Sequence, residues 1–430
     1  MASATHSVAN STIDAVWRIE SAKIVAGLAR MTRDVGLAEE LAQEALLAAL
    51  EKWPESGVPD KPGAWLMAAA KNCALDHFRH RKLTESKHEE IGRDMEEGFT
   101  PDFDATLEDD IGDDLLRLIF TACHPVLSTE ARAALTLRLL GGLTTDEIAR
   151  AFLVPEPTIA QRIVRAKRTL AEAHVPFEVP RGDELAARLS SVLEVAYLIF
   201  NEGYSATAGE DWTRPALCED ALRLGRILAE LAPEEPEVLG LVALMEIQAS
   251  RLRARTGPSG EPILLMDQDR SRWDHLLMRR GLAALERAQA LDAAAGGSLG
   301  PYALQAAIAA CHARASTPGE TDWKRIVALY DALAQIAPSP VVELNRAVAV
   351  AMAFGPEEGL ALLDAVAAEP SLRSYHLLPS VRGDFLVKLG RLDEARSEFE
   401  RAASLTRNAR EIRLLLDRAA GLHPGLRVVK

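Results

Sequence analysis

The sequence predicts an all-α protein built from several helical domains, and three observations carry that expectation. Ala, Leu, Glu and Arg dominate while aromatic residues make up only 5 %, a composition of good helix formers. The stretch Leu143–Leu170, LTTDEIARAFLVPEPTIAQRIVRAKRTL, reads as two helices joined by a short turn. Toward the C-terminus two helix-pair patterns recur nearly in phase, NRAVAVAMAFGPEEGLALLDAV and VRGDFLVKLGRLDEARSEFERAASL.

A chain of 430 residues has room for several buried cores. Its net charge of −14 argues against a protein that coats nucleic acid indiscriminately, so DNA binding must rest on local basic faces. Cys73, Cys123, Cys218 and Cys311 lie far apart with no CxxC spacing, which fits a reduced compartment better than a disulfide framework. No secretory signal or membrane-spanning apolar run is apparent, so a soluble cytoplasmic protein without cofactor, metal or membrane partner is expected.

Met1–Asn10 is small and polar and reads as a loose tail. Ile13, Val16, Trp17, Ile24 and Leu28 then follow helical spacing. In the next segment, Asp34–Trp53, the spacing predicts a buried stripe of Leu37, Leu41, Ala45, Leu46, Ala49 and Leu50. Glu40, Gln43 and Glu44 fall on the other side as an acidic, amide-bearing surface, for which a solvated face is the simplest account. Pro54–Gly63 is a loop. A basic helix follows from Ala64. From Lys61 to Lys82 there are five basic residues against one acid, with Trp65, Lys71, Asn72 and Arg79 among them. Such a helix can hold single-stranded DNA by stacking and phosphate contact, although for Trp65 a place in the core is a strong alternative.

Thr84–Asp114 reverses the sign, with thirteen acids against Lys87 and Arg93, a net of −11, and reads as a flexible linker. Leu115–Leu140 is helical again, broken at His124–Pro125, with Ser128 as the cap of the next helix. Cys123 and His124 read as packing residues, since no second pair stands nearby to complete a metal site.

In Leu143–Leu170, Thr145 is the expected cap of the first helix, with Asp146 and Glu147 in its first turn. Ile148, Ala149 and Phe152 form its apolar face; Leu153, Val154 and Pro155 end it, and Pro157 opens the next helix. There Ile159, Ile163, Ala166 and Leu170 point inward. Thr158, Gln161, Arg162 and Arg165 share another face, and Lys167 and Arg168 add charge. Hydroxyl, amide and guanidinium groups on one helix face are the types that bind phosphates and base edges in a major groove, so this is a helix-turn-helix with a recognition helix.

Val175–Arg181 reads as a joint. Leu185–Phe200 is an apolar helix that runs into the loop Asn201–Trp212. Gly355 and Gly390, 35 residues apart, mark the same place in two tetratricopeptide-like repeats, and an earlier copy is read at Asp322–Val348. Stacked repeats of this kind generally present a surface to a regulatory protein.

Taken in order, these segments resemble a bacterial sigma factor of the extracytoplasmic-function group, in the subgroup with a tetratricopeptide-like C-terminal extension. The resemblance covers Ile13 to His174. Asp34–Glu44 (DVGLAEELAQE) resembles the segment that docks on the clamp helices of RNA polymerase, which implies that Glu40, Gln43 and Glu44 make that contact. Pro62–Leu83 resembles the segment that melts and reads the proximal promoter element, with Asn72 at the position that holds an extruded base and Trp65 at a family aromatic. Leu143–Leu170 resembles the module that reads the distal element; Pro157 stands where many members have glycine.

The implied architecture is a sigma region-two domain at 11–83, the acidic linker at 84–114, a sigma region-four domain at 115–174, a helical extension at 181–281 and repeats at 282–425. The implied partners are promoter DNA and core RNA polymerase, through its clamp helices and flap. The alternative is a helix-turn-helix regulator that senses a ligand or partner and acts without polymerase. An enzyme is not expected: His275, His312 and His376 lack a catalytic spacing, and the loop around Glu202 and Tyr204 is the one place where a reaction would fit.

Overall fold

The computed structural model describes residues 2–89, 111–152 and 154–422. Among them are eighteen α-helices, a few short 3-10 turns and a two-stranded parallel pairing. The chain divides into two compact units, Met1–Ala196 and Tyr197–Lys430.

In the first unit α1 (Ala2–Thr32), α2 (Val35–Ser56) and α3 (Pro62–Glu89) pack together. α1 begins at Ala2, so the expected loose tail is helical. Ile13, Trp17, Ile24 and Leu28 are buried. Asp34 caps α2, its Oδ1 accepting from the amides of Gly36 (2.7 Å) and Leu37 (3.1 Å). The buried stripe of α2 runs through Ala38, Leu41, Ala42, Ala45, Ala49 and Trp53, whereas Leu37, Leu46 and Leu50 are half-buried. Leu41, Ala45 and Ala49 of the expected stripe are thus buried, while Ala38, Ala42 and Trp53 take the places expected for Leu37, Leu46 and Leu50, since small alanines let the neighbouring helices approach closely. α3 continues to Glu89, into the segment expected as linker, and the next helix begins at Ile111; residues 90–110 lie outside the described residues.

α4 (Ile111–Ala122), α5 (Thr129–Leu139), α6 (Thr145–Phe152) and α7 (Glu156–Glu172) follow. Ser128 caps α5. The cap of α6 is Thr144, one residue before the expected Thr145: the Thr144 hydroxyl accepts from the Glu147 amide (3.2 Å), and the Glu147 carboxylate accepts from the Thr144 amide (2.8 Å). This reciprocal capping box requires Glu at the third helical position, which selects Thr144 over its neighbour. Leu153 lies outside the described residues. α8 (Asp183–Tyr204) crosses from one unit into the other, and its first half packs on region 115–174. There the buried Arg132 donates to the Ser191 hydroxyl and to Glu194 (3.0 Å), and Arg188 donates to the Phe120 carbonyl (3.0 Å). Cys123 is buried under the same helix, its thiol pushed up to about 11 by burial, and His124 Nδ1 accepts from the Val126 amide. Both are packing residues.

The second unit is a stack of helices: α9 (Pro215–Leu231), α10 (Pro236–Ala249), α11 (His275–Ala294), α12 (Pro301–Arg314), α13 (Trp323–Ile336), α14 (Pro340–Phe354), α15 (Pro356–Val366), α16 (Leu377–Lys388), α17 (Leu392–Leu405) and α18 (Ala409–Ala420). Proline opens α9, α10, α12, α14 and α15, where its missing amide costs nothing. Gly355 joins α14 to α15 at φ +132° and Gly390 joins α16 to α17 at φ +75°, so both expected repeat glycines sit in the turn of a helix pair in backbone that glycine tolerates. Phe399 of α17 rests on Gly383 of α16, where a Cβ would come within 2.6 Å of the ring. The copy expected at Asp322–Val348 covers α13 and the first half of α14, two helices that pack on each other across the turn at Pro338.

The expected loop at Asn201 starts later, since α8 runs to Tyr204. Its remainder forms β1 (Ala208–Gly209), which pairs in parallel with β2 (Arg407–Asn408). Asn408 is fully buried, donating to the carbonyls of Ala206 (3.0 Å) and Asp211 (2.8 Å) while its Oδ1 caps α18. One side chain thus ties the first loop of this unit to its last helix. Glu202, the carboxylate considered for a reaction, is buried and engaged by Arg214 and Thr207.

Candidate nucleic-acid and polymerase interface

Three helix faces of the first unit hold the residues singled out in the sequence. On α7, Ile159, Ile163, Ala166 and Leu170 are buried. That anchor turns Thr158, Gln161, Arg162 and Arg165 outward, where they line one groove of about 370 Å³ whose other wall is the turn and first residues of α5, Val126 to Ala131. Gln161 and Arg165 are exposed, as a recognition helix requires. The groove floor combines hydroxyl, amide and guanidinium groups with no acid among its lining residues.

Lys167 and Arg168 do not join that face. Lys167 is drawn to the buried carboxylate of Glu39 on α2, which also receives Arg138 of α5 (2.7 Å). Burial pushes the Glu39 carboxyl up, but the two cations outweigh it and hold the group below its ordinary value. Arg168 is exposed and pairs with Glu172 one turn on (2.6 Å). Helical spacing placed Lys167 at the edge of the basic face; it gave no sign of Glu39, 128 residues earlier. Further pairs join α1 to the later helices, Arg18 to Glu147 and Arg30 to Asp114 (3.2 Å).

On α3, Asn72 and Arg79 are exposed seven residues apart, hence on one stripe, with Arg79 paired to Asp76 (3.1 Å). Trp65 lies seven residues earlier, half-buried, with its ring edge-on to the buried Trp53 at 5.4 Å. It is both core and surface: one side packs, and Lys52 lies 6.0 Å from its ring. Lys71 points elsewhere, half-buried beside Arg30; burial, then that guanidinium, lower its pKa.

On α2, Glu40 and Glu44 are exposed and Gln43 is half-buried. Leu47 completes this face at 58 % exposure, an apolar residue on the acidic surface that the sequence reading passed over. Its position, seven after Glu40 and three after Glu44, was the available signal. Among the described residues no helix is long and apolar enough to cross a membrane.

Comparison with known proteins matches three stretches of the chain. Residues 20–84 match Sigma-70 region 2, residues 117–170 match Sigma-70 region 4, and residues 188–289 match a family of unknown function, DUF6596. An uncharacterized protein of Rhizobium meliloti is 43 % identical over 397 residues, covering 91 % of this chain and 92 % of its own. The probable ECF RNA polymerase sigma factor SigI of Mycobacterium tuberculosis is 26 % identical over 172 residues, 39 % of this chain and 57 % of that protein. The ECF RNA polymerase sigma factor SigC of the same species is 30 % identical over 144 residues, 32 % of this chain and 70 % of that protein. With both sigma regions in order on one compact unit and a helical unit beyond them, the chain belongs to the ECF RNA polymerase sigma factors and carries a C-terminal extension.

Proposed function

We propose that the first unit directs core RNA polymerase to promoters through its three faces, and that the extension regulates this activity. Thr158, Gln161, Arg162 and Arg165 read the distal element. Asn72, Arg79 and Trp65 engage the proximal element, where unstacking a base costs a few kcal/mol and a pocket for it offsets that cost. Glu40, Gln43, Glu44 and Leu47 bind core polymerase. The observation that carries the reading is the α7 groove, where four side chains of the right chemistry converge over a buried apolar stripe.

The negative overall charge suits this division of labour, since polymerase supplies phosphate contacts that an isolated DNA-binding protein would need for itself. The proposed regulatory role of the extension is supported by α8, a single helix that belongs to region 115–174 at its start and to the second unit at its end.

The deciding experiment is transcription in vitro with core polymerase and a cognate promoter. Arg165→Ala is expected to weaken distal-element recognition by about 1–3 kcal/mol, the range for a good base contact. Unchanged transcription rejects the assignment of α7. Gln43→Ala combined with Glu44→Ala is expected to lower affinity for core polymerase with the helical circular dichroism intact; pull-down at full yield rejects the assignment of α2.

A further inference from the structure

The wall of the α7 groove depends on residues that lie beyond sigma region 4. α4 ends at Ala122 and α5 begins at Thr129, so the joint between them carries Val126, Leu127 and Ser128 of that wall. The joint is tied within itself. The His124 amide donates to the Thr121 carbonyl (3.2 Å), the Leu127 amide to the His124 carbonyl (3.0 Å), and the Val126 amide to His124 Nδ1 (3.1 Å). Such bonds shape the joint, but the last carbonyls of a helix find no partner along the helix itself.

α8 supplies partners on both flanks. Arg188 donates to the Phe120 carbonyl (3.0 Å), and the Ser191 hydroxyl donates to the Cys123 carbonyl (2.6 Å). Arg188 also places a cation at the C-terminal end of α4, where the helix dipole favours one. Across the joint, the Arg132 guanidinium of α5 reaches Ser191, Glu194 (3.0 Å) and Thr129 (2.9 Å). One hydroxyl thus links the end of α4 to the start of α5. Arg132, Arg188 and Ser191 are 8 %, 6 % and 7 % exposed, so a partner lost here is not replaced by water. Without α8 the joint would have to shift to bring its carbonyls and Arg132 to solvent.

A shift of that kind reaches the reading face, because α5 packs on α7. The Glu130 carboxyl, in the first turn of α5, is held below its ordinary value by its own amide and the Ser128 hydroxyl, then by the charges of Arg162 and Arg132. Arg162 of the groove and Arg132 of the α8 contact therefore act on one carboxylate. All the residues that line the groove come from the α4–α5 joint, α5 and α7, so α8 supports the reading face without covering it.

We infer that the first half of α8 is part of the distal-element reader. Arg188, Ser191 and Arg132 are positioning residues that hold the α4–α5 joint against α7, and this part of the extension promotes distal-element recognition. The role rests on α7 reading the distal element, and it adds the sign and the residues of the extension's action there.

The test is transcription in vitro by the full-length protein with core polymerase, on two templates that differ only in an intact or scrambled distal element. The ratio of the two yields measures use of that element. Ser191→Ala should lower the ratio by at least about three-fold, with pull-down of core polymerase unchanged. Arg188→Met keeps the stem, removes the bond to Phe120 and should act in the same direction. Ser191→Thr keeps the hydroxyl and should restore most of the ratio. Ser191→Ala combined with Arg165→Ala should fall no lower than Arg165→Ala alone, since both act on one recognition step. If Arg188→Met fails to fold by circular dichroism, the smaller change Ser191→Ala decides. A ratio that Arg165→Ala lowers but Ser191→Ala leaves intact overturns the role of α8 and spares the reading of α7. A ratio indifferent to Arg165→Ala overturns both. Equal losses on the two templates mean that Ser191 only stabilises the fold, and a ratio raised by Ser191→Ala means that α8 restrains the reader; either result overturns the inference.

Discussion

Arg165 of the first unit and Arg255 of the second put the same side chain to opposite uses. Arg165 projects from α7 into an open groove beside Gln161 and Arg162. Arg255 lies between two rings, its guanidinium carbon 3.8 Å from Tyr204 and 4.4 Å from Trp212, and donates to the Tyr204 carbonyl (3.1 Å). The first is free to meet a phosphate or base, and the second holds the fold. What separates them is how each was brought to its place. Arg165 belongs to a face generated by one helix, while Arg255 is placed by α8, the loop after it and the residues after α10, segments joined only in the folded chain.

The largest effect expected is at Glu39, which stands between these extremes as a charge used for assembly inside the promoter-reading unit. Removing it leaves Lys167 and Arg138 without their shared carboxylate in a partly buried seam. Glu39→Ala should cost about 3–5 kcal/mol of stability, the range for breaking a buried pair from one side, measured by urea unfolding followed by circular dichroism. The pH dependence follows from the sign of the shift. The Glu39 carboxyl is held below its ordinary 4.5, so its contribution is present above about that pH and is lost as the pH falls through the lower folded value. The stability gap between wild type and Glu39→Ala should therefore shrink in acid. A gap that stays constant down to pH 3 would show that the pair contributes packing and not charge.

The same contrast explains what could be read from the sequence. A helix repeats its faces every few residues, so Ile159, Ile163, Ala166 and Leu170 announced the inward side of α7, and Thr158, Gln161, Arg162 and Arg165 its outward side. The turn glycines Gly355 and Gly390 were legible for a similar local reason, since a positive φ in a short turn selects glycine. Lys167 was misplaced because its partner lies on another helix far along the chain, and no periodicity carries that information. Half of the α2 stripe was legible, in Leu41, Ala45 and Ala49; the rest was not, because a tight helix seam buries the small Ala38 and Ala42 and leaves Leu37 and Leu46 at its margin. The arginine–aromatic interior was invisible: Tyr204, Trp212, Arg251, Arg255, Arg270, Trp273 and His312 share no spacing, and only the pairing of β1 with β2 and the crossing of residues 251–274 assemble them.

A smaller effect tests the structural arginine directly. Arg255→Met keeps the length and apolar body of the side chain while removing its charge and its hydrogen bond. Two cation–π contacts at about 0.5–1 kcal/mol each and one hydrogen bond of about 1 kcal/mol suggest a loss of about 2–3 kcal/mol, read as a lower melting temperature of the full-length protein. Transcription at a temperature where the variant is folded separates this from a promoter contact. If Arg255→Met melts with wild type yet fails to transcribe, the comparison with Arg165 is inverted, and Arg255 belongs to a functional surface.

The smallest expected effect is the stability change in Arg165→Ala, and its smallness is what makes the variant informative. Arg165 is exposed on α7, the apolar stripe of that helix lies on another side, and alanine is the better helix former. Substitution should therefore leave the unfolding midpoint within about 0.5 kcal/mol of wild type, as surface changes away from special features do. Loss of distal-element recognition alongside an unmoved midpoint means that the side chain acts on DNA. A midpoint lowered by about 2 kcal/mol would mean instead that Arg165 stabilises the groove formed with the start of α5, and the transcription defect would then report a damaged scaffold.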